Sequence, residues 1–86
     1  MAEVIFAESA FRHGYEEDDV LELLQGRYAR IRSQRGFPDV YEIFGRNAAG
    51  DYLHVTYREL RDRRWLVFHI MRMTEAHKRR YRKIQS

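Results

Sequence analysis

The stretch VFHIMRMTEAHKRRYRK, Val67 to Lys83, opens as an apolar run and carries six positive charges in its last twelve residues. The segment WLVFHIMRM (65–73) is apolar on both faces, which predicts a central strand buried from two sides. Thr74 then offers its hydroxyl as a helix N-cap, and Glu75 sits in the first turn, where the helix dipole favours an acid. A helix over about residues 75–84 places Met73, His77, Tyr81 and Ile84 along one face, with Lys78, Arg79, Arg82 and Lys83 elsewhere. The strand best suited to the core thus runs straight into the most basic helix.

Outward from this stretch the chain alternates. DYLHVTYREL (51–60) puts Leu53, Val55 and Tyr57 on one side and Tyr52, His54, Thr56 and Arg58 on the other. RDRR (61–64) is a charged hairpin tip and NAAG (47–50) a turn. DVYEIFGR (39–46) and RYARIRS (27–33) are further strand candidates, separated by Gly36 and Pro38. YEEDDVLELLQG (15–26) opens with four acids, repeats Val20, Leu21, Leu23 and Leu24 at helical spacing, and stops at Gly26. It predicts a helix over about residues 16–25. Val4 to Phe6 is a candidate edge strand. The expected fold is α+β in a single domain over 1–86. It has a small antiparallel sheet of about four strands, with an N-terminal and a C-terminal helix packed on one sheet face. The other face would be a shallow platform.

Composition narrows the function classes. A chain of 86 residues has room for one core only. With no cysteine, neither a disulfide framework nor a thiolate metal site is available. No apolar run approaches the roughly 20 residues a membrane span needs. The N-terminus lacks the features of a signal peptide, so the expectation is a cytoplasmic protein. Charge is lopsided: residues 1–24 carry net −6, residues 25–60 net +2 and residues 61–86 net +7. Such asymmetry points to a polyanionic partner at the C-terminal end, against the plainer reading of a solvated basic face.

Three segments carry a family resemblance. RHGYEEDDVLELL (12–24), FGRNAAGDYLHVTYRE (44–59) and VFHIMRMTEAHKRRY (67–81), in that order and spacing, resemble the BrnT toxins. The resemblance implies a RelE-like ribonuclease fold, toxin activity against RNA, and inhibition by an antitoxin protein, with a homodimer as a further option. Arg12 stands where the family usually has lysine. His69-Ile70-Met71 stands where it has serine, alanine and arginine, with Arg72 directly after. His77 stands at its helix glutamate, while Thr74 and Tyr81 match. Met71 and His77 favour a second reading, a catalytically inactive RNA- or protein-binding module of the same fold.

Cleaving RNA without a metal needs a base for the ribose 2′-hydroxyl, an acid for the leaving oxygen, and cations around the phosphorane charge. Histidine suits both proton transfers near neutral pH. The expected catalytic set is Arg72, His13, His69 and Tyr81. Arg46 and Arg80, with Lys78, Arg79, Arg82 and Lys83, would bind RNA. Arg72 interrupts an apolar strand where nothing structural asks for a charge. Each has a plainer role too. His13 could close a turn before Gly14, His54 could sit exposed on the sheet, His69 could be a satisfied core residue, His77 could be surface, and Tyr81 could be core packing. No histidine pair has close helical spacing, and the EEDD run points its carboxylates around a helix axis. No metal centre or cofactor is expected.

Overall fold

The computed structural model describes residues 3–33 and 36–85. In chain order the elements are β1 (Val4–Phe6), a 3-10 turn (Glu8–Phe11), α1 (Glu17–Gln25), β2 (Tyr28–Arg32), β3 (Val40–Arg46), β4 (Tyr52–Glu59), β5 (Trp65–Arg72) and α2 (Glu75–Gln85). The fold is α+β. Its sheet has five strands in the order β1-β5-β4-β3-β2, one more than expected. It is mixed, because β1 pairs with β5 in parallel while β2 to β5 form an antiparallel meander. The expected C-terminal strand is therefore interior, between β1 and β4, which explains its apolar character on both faces. Neither helix is long and apolar enough to cross a membrane.

The helices do not share a face. Val20 and Leu23 of α1 pack with Ile43, Leu53, Val55, Tyr57, Val67 and Ile70. Tyr81 of α2 packs against Phe44, Ala29 and Met73. Ile43 and Phe44 are consecutive in β3, so their side chains leave opposite sides of the sheet. The two helices sit at different points of the chain's path: α1 lies between parallel-paired β1 and the start of the meander at the opposite edge, whereas α2 turns back directly from the end of β5. The open platform expected on one face is thus reduced to a part of the α2 side. Ile84 belongs to the exposed part of α2 (42% exposed), unlike Met73, His77 and Tyr81.

Two local devices set this arrangement. The α1 side of β3 carries Gly45, and a Cβ there would stand 2.9 Å from Leu23 Cγ. The missing side chain lets α1 sit close on the sheet. The other device is a bulge in β5. Tyr57 pairs with Val67 but Thr56 pairs with His69, which leaves Phe68 without a partner position. Before the bulge, odd-numbered residues of β5 face α1; after it, even-numbered ones do. Ile70 therefore enters the core, and His69 turns to the α2 side beside Thr56.

The end of the α1 face that α1 does not cover is filled by an aromatic row. Tyr57 stacks on Trp65 at 4.2 Å and on Tyr41 at 5.3 Å between ring centroids. Arg30 of β2 lies over Tyr41 and Trp65 and donates to the Tyr57 hydroxyl at 3.2 Å. This covers the sheet where helix length runs out.

Candidate active-site cleft

On the α2 side of the sheet a cleft of about 690 Å³ opens between the 3-10 turn, the β2–β3 loop and α2. All four histidines of the chain line it, with Arg12, Arg58, Arg80 and Glu42. They come from five separated segments. Alternation brings Glu42 of β3 and His54 of β4 to this side, and the β5 bulge adds His69. The turn after the 3-10 segment delivers Arg12 and His13, anchored where Ser9 Oγ donates to the Phe68 carbonyl at 3.2 Å. The first turns of α2 contribute His77 and Arg80.

The rings form a chain. His13 meets His69 edge-on at 5.5 Å, His69 meets His54 edge-on at 5.5 Å, and His54 stacks on His77 at 4.1 Å. The rings meet by faces and edges, and among the described residues no three His, Asp or Glu side chains are grouped to hold a metal ion. The deep end is the most constrained. His54 Nε2 lies 2.8 Å from Glu42 Oε1, with the two side chains 10% and 12% exposed. Arg80 Nη1 approaches the same carboxylate oxygen at 3.5 Å. Burial pushes the His54 pKa down to about 4, against the hydrogen bond to Glu42, so the ring is neutral at pH 7. A neutral ring that donates from Nε2 carries its lone pair on Nδ1, which is buried without a hydrogen-bond partner, as is Arg80 Nη2.

His77 is held differently. Its backbone N–H donates to Thr74 Oγ1 at 3.2 Å, and its Nδ1 accepts the Thr74 N–H at 3.2 Å. This is a capping box with histidine in the place of glutamate or glutamine. It fixes the bare nitrogen of His77 as Nδ1. Burial lowers the His77 pKa, and the nearby Arg80 charge adds to that, while Glu42 opposes it.

Of the residues expected to act, the structure brings His13, His69 and Arg80 to the cleft and leaves the others outside it. Arg72 stands opposite Leu53 and so points to the α1 side, where its exposed guanidinium lies 3.7 Å from Asp51 Oδ1. A hydrogen bond with Tyr15 raises its pKa further. The charge that looked structurally unexplained ties the segment before α1 to the start of β4. Tyr81 is half-buried under α2, edge-on to Tyr52 at 6.2 Å. Arg46 and Lys78 flank that same Tyr52 ring at 5.5 and 5.8 Å. Arg79, Arg82 and Lys83 are exposed on the outer side of α2. His54 is buried, and the plainer reading of an exposed sheet position fails because α2 lies over it.

Glu42, His54, Arg12 and Arg58 were in neither the expected catalytic set nor the expected RNA-binding set. One signal was available for the first two. Glu42 lies between Val40 and Phe44 on the same side of β3, and an acid flanked by apolar residues at i±2 needs a buried partner. His54 lies diagonally across the strand pair on the same side, opposite Phe44 and two residues from Thr56, the partner of Glu42. Compared with protein-family models, with curated proteins and with solved structures, the chain matches none.

Proposed function

We propose that the cleft is the active site of a metal-independent endoribonuclease with a RelE-like arrangement, the activity that the resemblance to BrnT toxins implies. The observation that carries this reading is the convergence of four histidines with Arg12, Arg58 and Arg80 in one cleft. Cations there stabilise the charge that develops on phosphorus, and paired imidazoles supply base and acid. His13 and His69 are the pair we assign to proton transfer, because both line the cleft and their rings meet at 5.5 Å. One takes the proton from the ribose 2′-hydroxyl as its oxygen attacks phosphorus. The other protonates the departing 5′-oxygen. The P–O5′ bond breaks, leaving a 2′,3′-cyclic phosphate and a 5′-hydroxyl.

The exposed bases of α2 and the cation-flanked Tyr52 extend the positive surface around the helix and would track the RNA backbone. The same basic end, net +7 over residues 61–86, is where an acidic antitoxin segment would lie. A non-cleaving RNA-binding module is the second reading, favoured by two of the four histidines being held in structural hydrogen bonds.

The test is single-turnover cleavage of single-stranded RNA with EDTA present. Cleavage should persist, and His13→Ala and His69→Ala should each lose roughly 10²-fold or more in rate without loss of fold. Cleavage that EDTA abolishes and Mg²⁺ restores defeats the mechanism. RNA binding without cleavage leaves the binding module.

A further inference from the structure

Among the described residues Phe37 is the most exposed large apolar side chain, at 55%. It is not a stray surface residue, because it lines the histidine cleft together with Phe68, Arg12 and Arg58. Its backbone is fixed. Gly36 before it adopts φ +86°, a conformation that glycine takes without strain. The Phe37 carbonyl accepts the Val40 N–H at 3.2 Å, and Asp39 in the same turn pairs with Arg58 Nε at 3.2 Å. The Asp39 carbonyl also accepts the Glu59 N–H at 2.8 Å, which ties the turn to the end of β4. The chain thus holds an aromatic ring open to solvent on a braced turn, at the rim of a cationic cleft.

Such a ring beside guanidinium groups matches one ligand chemistry well, an unstacked nucleobase next to its phosphate. We infer that Phe37 is the stacking platform for one base of single-stranded RNA, seated beside the phosphate held by Arg12 and Arg58. This deepens the nuclease reading of the same cleft and rests on it for the identity of the polymer. Stacking tolerates any base, because every base has a π-face. It does not tolerate a duplex, whose bases already cover each other's faces. The cleft therefore selects for strand state and not for sequence at this position.

Binding can be measured apart from cleavage with a fluorescently labelled 2′-O-methyl RNA oligonucleotide of mixed sequence, which has no free 2′-hydroxyl. Wild type, Phe37→Ala and Phe37→Trp are compared on the single strand and on the same strand annealed to its complement. Phe37→Ala should weaken single-strand binding about tenfold. Phe37→Trp should retain it, and the duplex should bind more weakly than the single strand and respond to neither change. Because Phe37 is exposed, melting temperatures should stay within a degree or two, which removes misfolding as an explanation. Unchanged single-strand affinity in Phe37→Ala, or duplex bound as tightly as single strand, overturns the inference. The first of those outcomes is also what a protein-docking role for Phe37 gives. If wild type never cleaves RNA but its binding depends on Phe37, the nuclease reading falls and this one stands. Cleavage with binding independent of Phe37 gives the reverse.

Discussion

His54 and Glu42, neighbours across β3 and β4, form a nearly dry hydrogen bond of 2.8 Å beneath the first turn of α2. Stacking of His77 on one face of the His54 ring and of Phe44 near another, at 5.0 Å, closes the pair off from solvent. Arg80 supplies the only guanidinium at that carboxylate among the described contacts, so the pair also anchors α2 to the sheet.

That burial makes stability depend on pH. The folded-state pKa of His54 is about 4, below its ordinary value of 6.5, so between these limits the unfolded chain binds the additional proton. The stabilisation is complete above pH 6.5 and is lost as pH falls towards 4. His77, also lowered by burial, acts in the same direction. The linkage is on the order of 3 kcal/mol at most. Melting temperature should decline between about pH 6.5 and about pH 5 in wild type. His54→Gln, which keeps a donor for Glu42 but cannot titrate, should show a flatter profile. An equally steep decline in that variant would place the titration elsewhere.

The capping box at the start of α2 predicts an unequal response at His77. Thr74→Ala removes the hydroxyl acceptor and should cost about 1 kcal/mol in urea unfolding. His77→Gln retains an acceptor for the Thr74 N–H and should keep most of the stability. His77→Leu has a similar apolar bulk and no acceptor, and should lose more. Equal losses for Gln and Leu would mean that the ring acts through stacking alone.

The contact between Gly45 and Leu23 predicts non-additivity. Gly45→Ala puts a methyl group 2.9 Å from Leu23 Cγ and 3.1 Å from Tyr28 Cβ, and should cost about 1–3 kcal/mol by overpacking. Leu23→Ala alone leaves a cavity and should cost about 2–5 kcal/mol. The double variant should be more stable than the two losses together imply, since each change relieves the other. Strict additivity would show that α1 shifts freely on the sheet.

Alternation made much of this fold legible from sequence. Leu53, Val55 and Tyr57 do face the core, opposite Tyr52, His54, Thr56 and Arg58, because an antiparallel strand with one apolar side fixes its own register. The helix limits followed from the EEDD start, Gly26 and Thr74. Three things were not legible. The bulge at Phe68 depends on pairing with Tyr57 and Thr56, so a run apolar on both faces left the sides of His69 and Ile70 open. The parallel pairing of β1 involves only three residues that carry no signal of their partner. The sides taken by the two helices depend on where the chain re-enters the sheet, and apolar faces alone leave that open. Site residues suffered from the same limit: His13 and His69 were legible as chemistry, whereas the Glu42–His54 contact became visible only once β3 and β4 were paired.

Arg72 and Arg80 give the sharpest contrast between what sequence favoured and what geometry favours. Both are arginines near the β5–α2 junction. Arg72 faces the α1 side beside Asp51 and Tyr15, with a side chain 70% exposed. Arg80 reaches into the cleft, lies over the Phe44 ring at 5.4 Å and keeps a buried Nη2 without a partner. With a side-chain shift that exposes this unpartnered arm, the planar fork can take a phosphate oxygen in a geometry that lysine does not reproduce. Arg80→Lys should therefore slow single-turnover cleavage roughly 10²-fold. Arg72→Lys should leave the rate unchanged and shift the melting temperature slightly, since a solvent-exposed ion pair contributes little. Measuring both variants for both quantities separates the two positions. If Arg72→Lys lost activity at unchanged melting temperature while Arg80→Lys cleaved normally, the reacting phosphate would lie on the α1 side of the sheet and the histidine cleft would not be the site.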